Sequence, residues 1–528
     1  MPPCPLKPDA WKAALKKYPN KEFAEAIFGI LTYGALIGNT DKRSGIRVYQ
    51  NHGSASAQPE VLTKDLAEQL RNHRLTVYNN FKLLPKNFVS SPLGLTDKKD
   101  GTKRRIHDLS HPADISINDG IHPSRSSVKF ATLRDIQALV KECGGEGCNF
   151  IKRDFKDAYR HIPVSPFDSP LLGFQWKDKF YEERFLPFGL SSAPFLFNLV
   201  AEAFHWILEQ RLKDLKAKVI HYLDDFLIVV PKGSDHRQAM KIFADASAEL
   251  GFIIKTSKNR EGFVTDFVGY ELDSKKMQAR LPEEKKVKTR TIASAWARKE
   301  RISLHDLENL IGSLEHASHV IPGARAHMRR LLDLKETFPS GSGPHARMAL
   351  SPEAKEDLEW WIVVMGTNPH VALVQSTRKT ILVWTDGTGF KGMGGYYLKP
   401  GQKFPTLTAP QAFAIPHAER DRREKDQVLQ DMIAVESAIK QWGEEFKGFK
   451  VIFQVRTAGT VAGLQNKMLR EKGPMEHLRR ILTMAGKLDI EVYSKWVQAG
   501  QMDLANALSR FDRGRVGSLA PQLLSVLK

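Results

Sequence analysis

The chain of 528 residues carries 79 Lys and Arg against 60 Asp and Glu, a formal net charge of +19, with 42% hydrophobic and 26% charged residues. That length suggests roughly two to four domains of ~100–200 residues each, and the apolar content excludes a disordered chain. The uncharged stretch Ala26 to Thr40 falls short of the ~20 apolar residues a spanning helix needs, which argues against a membrane protein.

The first residues, MPPCPLKPDAWK, hold neither an apolar core nor a small-residue cleavage site, so secretion is not expected. Cys4, Cys143 and Cys148 cannot make a disulfide framework, and Cys143 and Cys148 with no nearby His make a poor zinc site. An intracellular, reducing setting fits, in either nucleus or cytoplasm. The basic surplus favours a polyanionic partner, because each neutralised phosphate releases condensed counterions.

Residues 1–75 mix short helical patterns with a loop-like stretch, NHGSASAQPE, and form an N-terminal extension without an assigned role. From 76 to 274 strand-like and helical runs alternate. In NFIKRDFKDAYRHIPV an apolar strand-like run ends at Asp154 and a helix-like stretch follows. In KVIHYLDDFLIVV, Asp224 and Asp225 lie between two apolar, β-prone runs, at a hairpin turn that brings both carboxylates to one sheet edge. An Asp-Asp pair alone is ordinary turn chemistry. The 70 residues between Asp154 and Asp224, however, leave room for a helical crossover that sets the two strands side by side. Carboxylates gathered there repel one another unless a cation is bound, and Mg2+, with Mn2+ as the alternative, suits hard oxygen ligands.

Lys275 to Arg301 hold ten Lys or Arg and three Glu, a local net of +7, with Trp296 among them. Leu304, Leu307, Leu310, Ile311 and Leu314 then recur at helical spacing behind Ser303 and Asp306, which resemble a capping box. Residues 275–337 are therefore a basic helical module. FPSGSGPH at 338–345 marks a linker within 338–377. The strand KTILVWTDG opens a second unit over 378–511, and 512–528 form a tail. The GxGG at Gly392–Gly395 is followed by no helix, so a hairpin turn is expected there rather than a nucleotide loop.

Three segments together carry a family resemblance: YLDD at Tyr222–Asp225, KRDFKDAYRHIPV around Asp154, and LPFGLSSAPFLFN from Leu186 to Asn198. In that order and spacing they resemble the reverse transcriptases of DIRS-like, tyrosine-recombinase retrotransposons, from about residue 76 through the second unit. The resemblance implies an α+β chain: a right-hand polymerase with fingers and palm over 76–274 and a thumb-like module over 275–337, then an RNase H-like α/β domain over 378–511. It implies an RNA-directed DNA polymerase that acts on an RNA template, a DNA primer, RNA–DNA hybrid and deoxynucleoside triphosphates. Asp154, Asp224 and Asp225 match its catalytic, metal-holding triad. Tyr159 matches the bulky side chain against the incoming sugar, and Gly189 begins the stretch that lines nucleotide and template. Lys99 and Arg104 match the basic residues that grip the triphosphate, and Lys258 the palm lysine near the nucleotide. Phe188 stands where retroviral enzymes have Gln.

In the second unit the implied carboxylates are incomplete. Asp386 is kept, Asp431 stands where Glu is expected with Glu436 one turn on, Arg456 replaces an Asp, and Asn506 replaces the closing Asp. An RNase H-like domain without nuclease activity is expected, since Arg456 inverts the charge a metal site needs. The alternative for the whole chain is a decayed or repurposed element protein that binds RNA or DNA without catalysis. The lost RNase H residues favour it, and the intact Asp154, Asp224 and Asp225 argue against it.

Overall fold

Phe226–Val230 is buried throughout, as a continuous apolar run in a covered sheet must be, and Phe150–Asp154 beside it is buried despite Lys152, Arg153 and Asp154. They belong to the two central strands of a four-stranded sheet in the computed structural model, which describes residues 4–41, 44–97, 101–374, 378–417 and 426–527. The chain divides into two compact units. One runs to Val268 and includes Leu272–Met277; the other comprises Gly269–Glu271 and the chain from Gln278 on.

In the first unit, a hairpin pairs β1 (Leu93–Asp97) with β2 (Lys103–His107). The central sheet contains β3 (Asn149–Asp154), β4 (Lys218–Tyr222), β5 (Asp225–Val230) and β6 (Arg260–Gly262) in the order β6-β3-β5-β4, antiparallel throughout. Helices α1 (Ala193–Leu212) and α2 (His236–Leu250) belong to the same unit. A second, five-stranded sheet runs in the order Arg47–Val48, Val89–Ser90, Gly173–Trp176, Lys179–Glu183, Leu75–Tyr78.

α1 begins with Pro194 in its first turn, where a missing N–H costs nothing, and buries Leu196, Phe197, Val200, Phe204, Ile207 and Leu208 at three- and four-residue spacing. α2 is capped by Asp235, whose carboxylate accepts from the Arg237 and Gln238 N–H groups. It ends at Gly251, with φ of 91°, where a Cβ would lie 2.1 Å from the Pro5 carbonyl oxygen. Phe155, Phe204, Phe226, Phe243 and Phe252 form the aromatic centre of this core, with Phe155 and Phe252 stacked 4.0 Å apart. The N-terminal segment joins that core. Leu6, Trp11, Leu15, Ile27 and Leu31 are buried in it, and the Trp11 indole donates to the Leu250 carbonyl at 3.0 Å.

A buried charge cluster ties the hairpin to the five-stranded sheet. Glu183 is wholly buried and accepts from Arg105 at 3.1 Å and from Arg160 at 2.5 and 3.2 Å, while Arg105 Nε also donates to Asp65 at 2.7 Å. Burial alone pushes the Glu183 carboxyl up, but the Arg160 and Arg105 guanidiniums outweigh it and hold it at about 2.

The second unit opens with α3 (Glu283–Ala297) and α4 (Leu304–Ser318). The Ser303 hydroxyl accepts from the Asp306 N–H at 3.2 Å to cap α4, which buries Leu307, Leu310 and Leu314. FPSGSGPH lies inside this unit, because strand Arg347–Ala349 beyond it pairs back onto Arg301–Ser303. Helix α5 (Pro352–Met365) then leads toward a five-stranded sheet. Its strands are β7 (Thr380–Gly387), β8 (Gly392–Leu398), β9 (Ala412–Pro416), β10 (Lys450–Val455) and β11 (Glu491–Trp496), in the order β9-β8-β7-β10-β11. β7 is antiparallel to β8 and parallel to β10, and β10 is parallel to β11. The Gly-rich stretch Gly392–Gly395 is the start of β8, paired in this sheet. Helices α6 (Gln427–Trp442), α7 (Ala458–Asn466), α8 (Lys472–Lys487) and α9 (Asp503–Ser509) belong to the same unit. Among the described residues no helix is long and apolar enough to cross a membrane.

Glu183→Gln leaves the buried Arg160 guanidinium without its counter-charge and Arg105 with Asp65 alone, and a loss of about 3–5 kcal/mol is expected in urea or thermal unfolding of the chain. The native pair stabilises fully above the ordinary Glu value and loses that contribution as pH falls toward about 2. The variant's stability is therefore expected to vary less with pH on the acid side.

Candidate active site

The site is built from a turn and a register. β4 and β5 are joined by the two-residue turn Leu223–Asp224, with Tyr222 opposite Asp225 and Leu223 in the left-handed region at φ of 54°. β5 lies antiparallel beside β3 so that Asp225 pairs with Asp154. Opposed residues in such a ladder have Cα atoms about 4.5–5.5 Å apart. Three carboxylates are thus brought to one end of the sheet, with α1 and β4 occupying the chain between the paired strands.

Their surroundings supply only part of the compensating charge. Asp154 is 2% exposed and its Oδ2 is ion-paired with the Lys258 ammonium. The backbone holds that pairing in place, since the Lys255 N–H donates to the Asp154 carbonyl at 2.7 Å. Lys152, two residues before Asp154 on β3, sits 3.9 Å from Asp225 and 2.7 Å from Asp266. Asp225 Oδ1 is buried and receives no hydrogen bond. Burial pushes Asp225 up to about 6, with Lys152 opposing and the Asp154 and Asp224 charges adding to the rise. Burial, then Asp154, likewise raises Asp224. A buried carboxylate oxygen without a donor, beside two further carboxylates, is a donor set that fits a hard divalent cation.

Above this edge, Tyr159 packs its ring 5.2 Å from Phe188 and 5.8 Å from Phe197. Its hydroxyl is pushed up to about 12 by burial and by the charge of Asp224. Phe188 is 44% exposed and carries the Arg104 guanidinium 5.6 Å over its ring, so the aromatic residue gives Arg104 a cation–π seat. Gly189 has φ of 106°, and a Cβ there would stand 2.2 Å from the His107 carbonyl oxygen. Asn118 pins the same loop, donating to the Gly189 carbonyl and accepting from the Ser191 N–H, both at 2.9 Å. Tyr222 stacks on Phe130 at 4.5 Å. Lys99 lies outside the described residues. Lys152 and Asn118 were not singled out by sequence. Lys152 had a signal, its two-residue spacing from Asp154 on one strand face; Asn118 had none.

In the second unit, Asp386 at the end of β7 is 6% exposed and accepts from Ser509 Oγ at 2.6 Å. The Asn506 amide, with its nitrogen turned to the carboxylate, donates to both Asp386 oxygens at 3.0 and 3.1 Å. Burial raises Asp386, opposed by Ser509, Arg456 and Arg510. Asp431 on α6 accepts from Gln427 at 2.8 Å and Thr460 at 3.0 Å, and burial pushes it up to about 6. Glu436 is committed to His477 at 2.6 Å, Lys440 at 2.7 Å and Arg480 at 3.0 Å. The oxygens that a cation would need are taken by neutral N–H and O–H donors or by cationic side chains, so this donor set does not fit a two-metal centre.

The first unit's geometry has a counterpart among known proteins. Residues 98–281 match the family model described as reverse transcriptase (RNA-dependent DNA polymerase). That segment is a reverse-transcriptase domain. The chain is 27% identical over 290 residues to the Gag-Pro-Pol polyprotein of Mason-Pfizer monkey virus, covering 51% of this chain and 14% of the polyprotein. It is 25% identical over 254 residues to Protein P of duck hepatitis B virus (strain China), covering 46% of this chain and 30% of that protein. It is 27% identical over 186 residues to the transposon Tf2-3 polyprotein of Schizosaccharomyces pombe, covering 35% and 13%. The chain thus spans less than a third of the length of these relatives. Among solved structures, it is similar to the foamy viral protease-reverse transcriptase in complex with double-stranded DNA, with a TM-score of 0.53, 15% identity, and coverage of 92% of this chain and 81% of that one. The same viral protein with RNA/DNA hybrid gives a TM-score of 0.51 at 14% identity, over 92% and 62%. The fold is that of a polymerase followed by an RNase H-like region.

Proposed function

We propose that this chain is an RNA-directed DNA polymerase of retrotransposon origin, of the DIRS-like type, that adds deoxynucleotides to a primer by two-metal phosphoryl transfer. The apposition of Asp154, Asp224 and Asp225 at one sheet edge carries the reading. Asp154, Asp224 and Asp225 would hold the ions, and the buried Asp225 Oδ1, which has no hydrogen-bond donor, supports that role. When bound, Mg2+ or Mn2+ supplies charge stabilisation for the attacking and leaving oxygens of an in-line displacement. Lys258 lies at Asp154, from which its half-exposed ammonium can turn to a triphosphate. Arg104, held over Phe188, presents a forked donor for phosphate, and Lys99, by the sequence resemblance, shares that role. The rigid Tyr159 ring is the wall against a 2′-hydroxyl, and the exposed Gly189, packed against the His107 carbonyl, begins the stretch that lines nucleotide and template.

The template is RNA and the primer DNA, with the product hybrid held by basic helices of the 275–337 module. The RNase H-like region has lost its nuclease and serves as a duplex-binding or connecting platform. The saturation of Asp386 by Asn506 and Ser509 supports this part of the proposal.

Two experiments test the proposal. In primer extension on an RNA template with Mg2+ and deoxynucleotides, the native chain extends the primer and Asp224→Asn, at matched binding, falls by at least about a hundredfold. Tight binding with no extension by the native chain would instead support the repurposed, binding-only protein. In a hybrid-cleavage assay with Mg2+, native chain and Asp386→Asn are expected to leave the RNA strand equally intact. Cleavage abolished by Asp386→Asn would overturn the inactive RNase H reading.

A further inference from the structure

α1 and β4 bring together two imidazoles and a carboxylate that the Asp154, Asp224 and Asp225 site does not use. We propose that Glu202 and His205 of α1 and His221 of β4 form a zinc-type site that fastens the helix to the strand feeding the YLDD turn.

One ligand atom from each of the three residues lies within 4.8 Å of the other two. The core of the site is the contact between the two rings. His205 Nδ1 and His221 Nδ1 face each other at 2.9 Å, with the ring planes 79° apart. The opposite nitrogen of each ring faces an acceptor. His221 Nε2 lies 3.3 Å from Asn198 Oδ1 and 3.8 Å from Glu202 Oε1, and His205 Nε2 lies 3.6 Å from Glu209 Oε1. With the Nε2 hydrogens turned to those acceptors, both Nδ1 lone pairs point into the same gap. Two opposed lone pairs repel unless a proton or a metal ion lies between them. Acceptors behind ligating imidazoles are the usual device for fixing the tautomer at metal centres. His221 is buried against Phe226, their rings stacked at 5.1 Å, and burial holds it neutral, pushed down to about 3.

Zn–N distances of about 2.0–2.1 Å put tetrahedral ligand atoms roughly 3.3 Å apart, so the gap opens by only a few tenths of an ångström to admit the ion. Glu202 is exposed, and its carboxylate, 3.8 Å from His221 Nε2 as it stands, swings to the Nδ1 gap to supply the third ligand from the solvent side, leaving the fourth position to water. Two nitrogens and one oxygen suit zinc rather than the magnesium of the carboxylate site. Asn198, Glu202, His205 and Glu209 recur on one face of α1, which is why a single strand residue completes the set.

The test uses the full chain carrying Asp224→Asn and Asp225→Asn, so that the neighbouring carboxylate site cannot account for binding. After chelation, Co2+ is added as the spectroscopic probe and Zn2+ as competitor. A single equivalent of Co2+ is expected to give the intense visible absorption of a tetrahedral site, displaced by Zn2+. His205→Ala, on the half-buried helix face, is expected to abolish it, and Glu209→Gln to weaken it by about tenfold or more. His221→Ala is avoided because its buried ring packs on Phe226. Absence of the tetrahedral spectrum means that the gap holds a shared proton, and overturns the proposal. A spectrum that survives His205→Ala overturns it equally.

Discussion

Repulsion among three carboxylates governs the first unit. Asp154 and Asp225 are forced opposite each other by the β3–β5 register, and Asp224 follows in the adjoining turn. A slip of one residue would carry one of them to the other sheet face, so the apolar runs that fix the register also fix the charge cluster. The flanking lysines relieve only part of the cost. Lys258 meets Asp154, Lys152 stands at 3.9 Å from Asp225, and one Asp225 oxygen has no donor at all. The aromatic core beneath, centred on Phe155, Phe226 and Phe252, is what keeps the strands from parting.

The second unit shows how the same chemical problem is solved without a cation. Asp386 and Asp431 are also buried, yet Asn506, Ser509, Gln427 and Thr460 occupy their oxygens. These neutral donors occupy the oxygens that a metal would need, although burial still raises both carboxyls. The two units thus carry opposite answers. One keeps an unsatisfied acidic edge, and the other has closed its edge with side-chain hydrogen bonds.

Much of this was legible in the sequence because it depended on local pattern. The YLDD turn lies between two apolar runs, and KTILVWTDG is a strand that ends at its acidic residue. The capping of α4 by Ser303 was visible at three-residue spacing. What was hidden depended on long-range pairing. The Glu183 cluster draws on Asp65, Arg105 and Arg160, and no spacing connects them. Lys258 meets Asp154 only because the backbone folds back 104 residues later. His205 and His221 stand on different elements, and neither has a metal-ligand spacing by itself. The N-terminal extension gave no sign that Trp11 donates to Leu250 in the core of the first unit.

The measurement closest to the central claim is the melting temperature of native chain and Asp225→Asn, in chelator and in Mg2+ at low ionic strength. If the acidic edge is electrostatically strained and completed by a cation, Asp225→Asn melts above the native chain in chelator by about 1–3 °C, and Mg2+ stabilises the native chain more than the variant. Asp225→Asn melting below the native chain in chelator, with equal responses to Mg2+, would contradict the account.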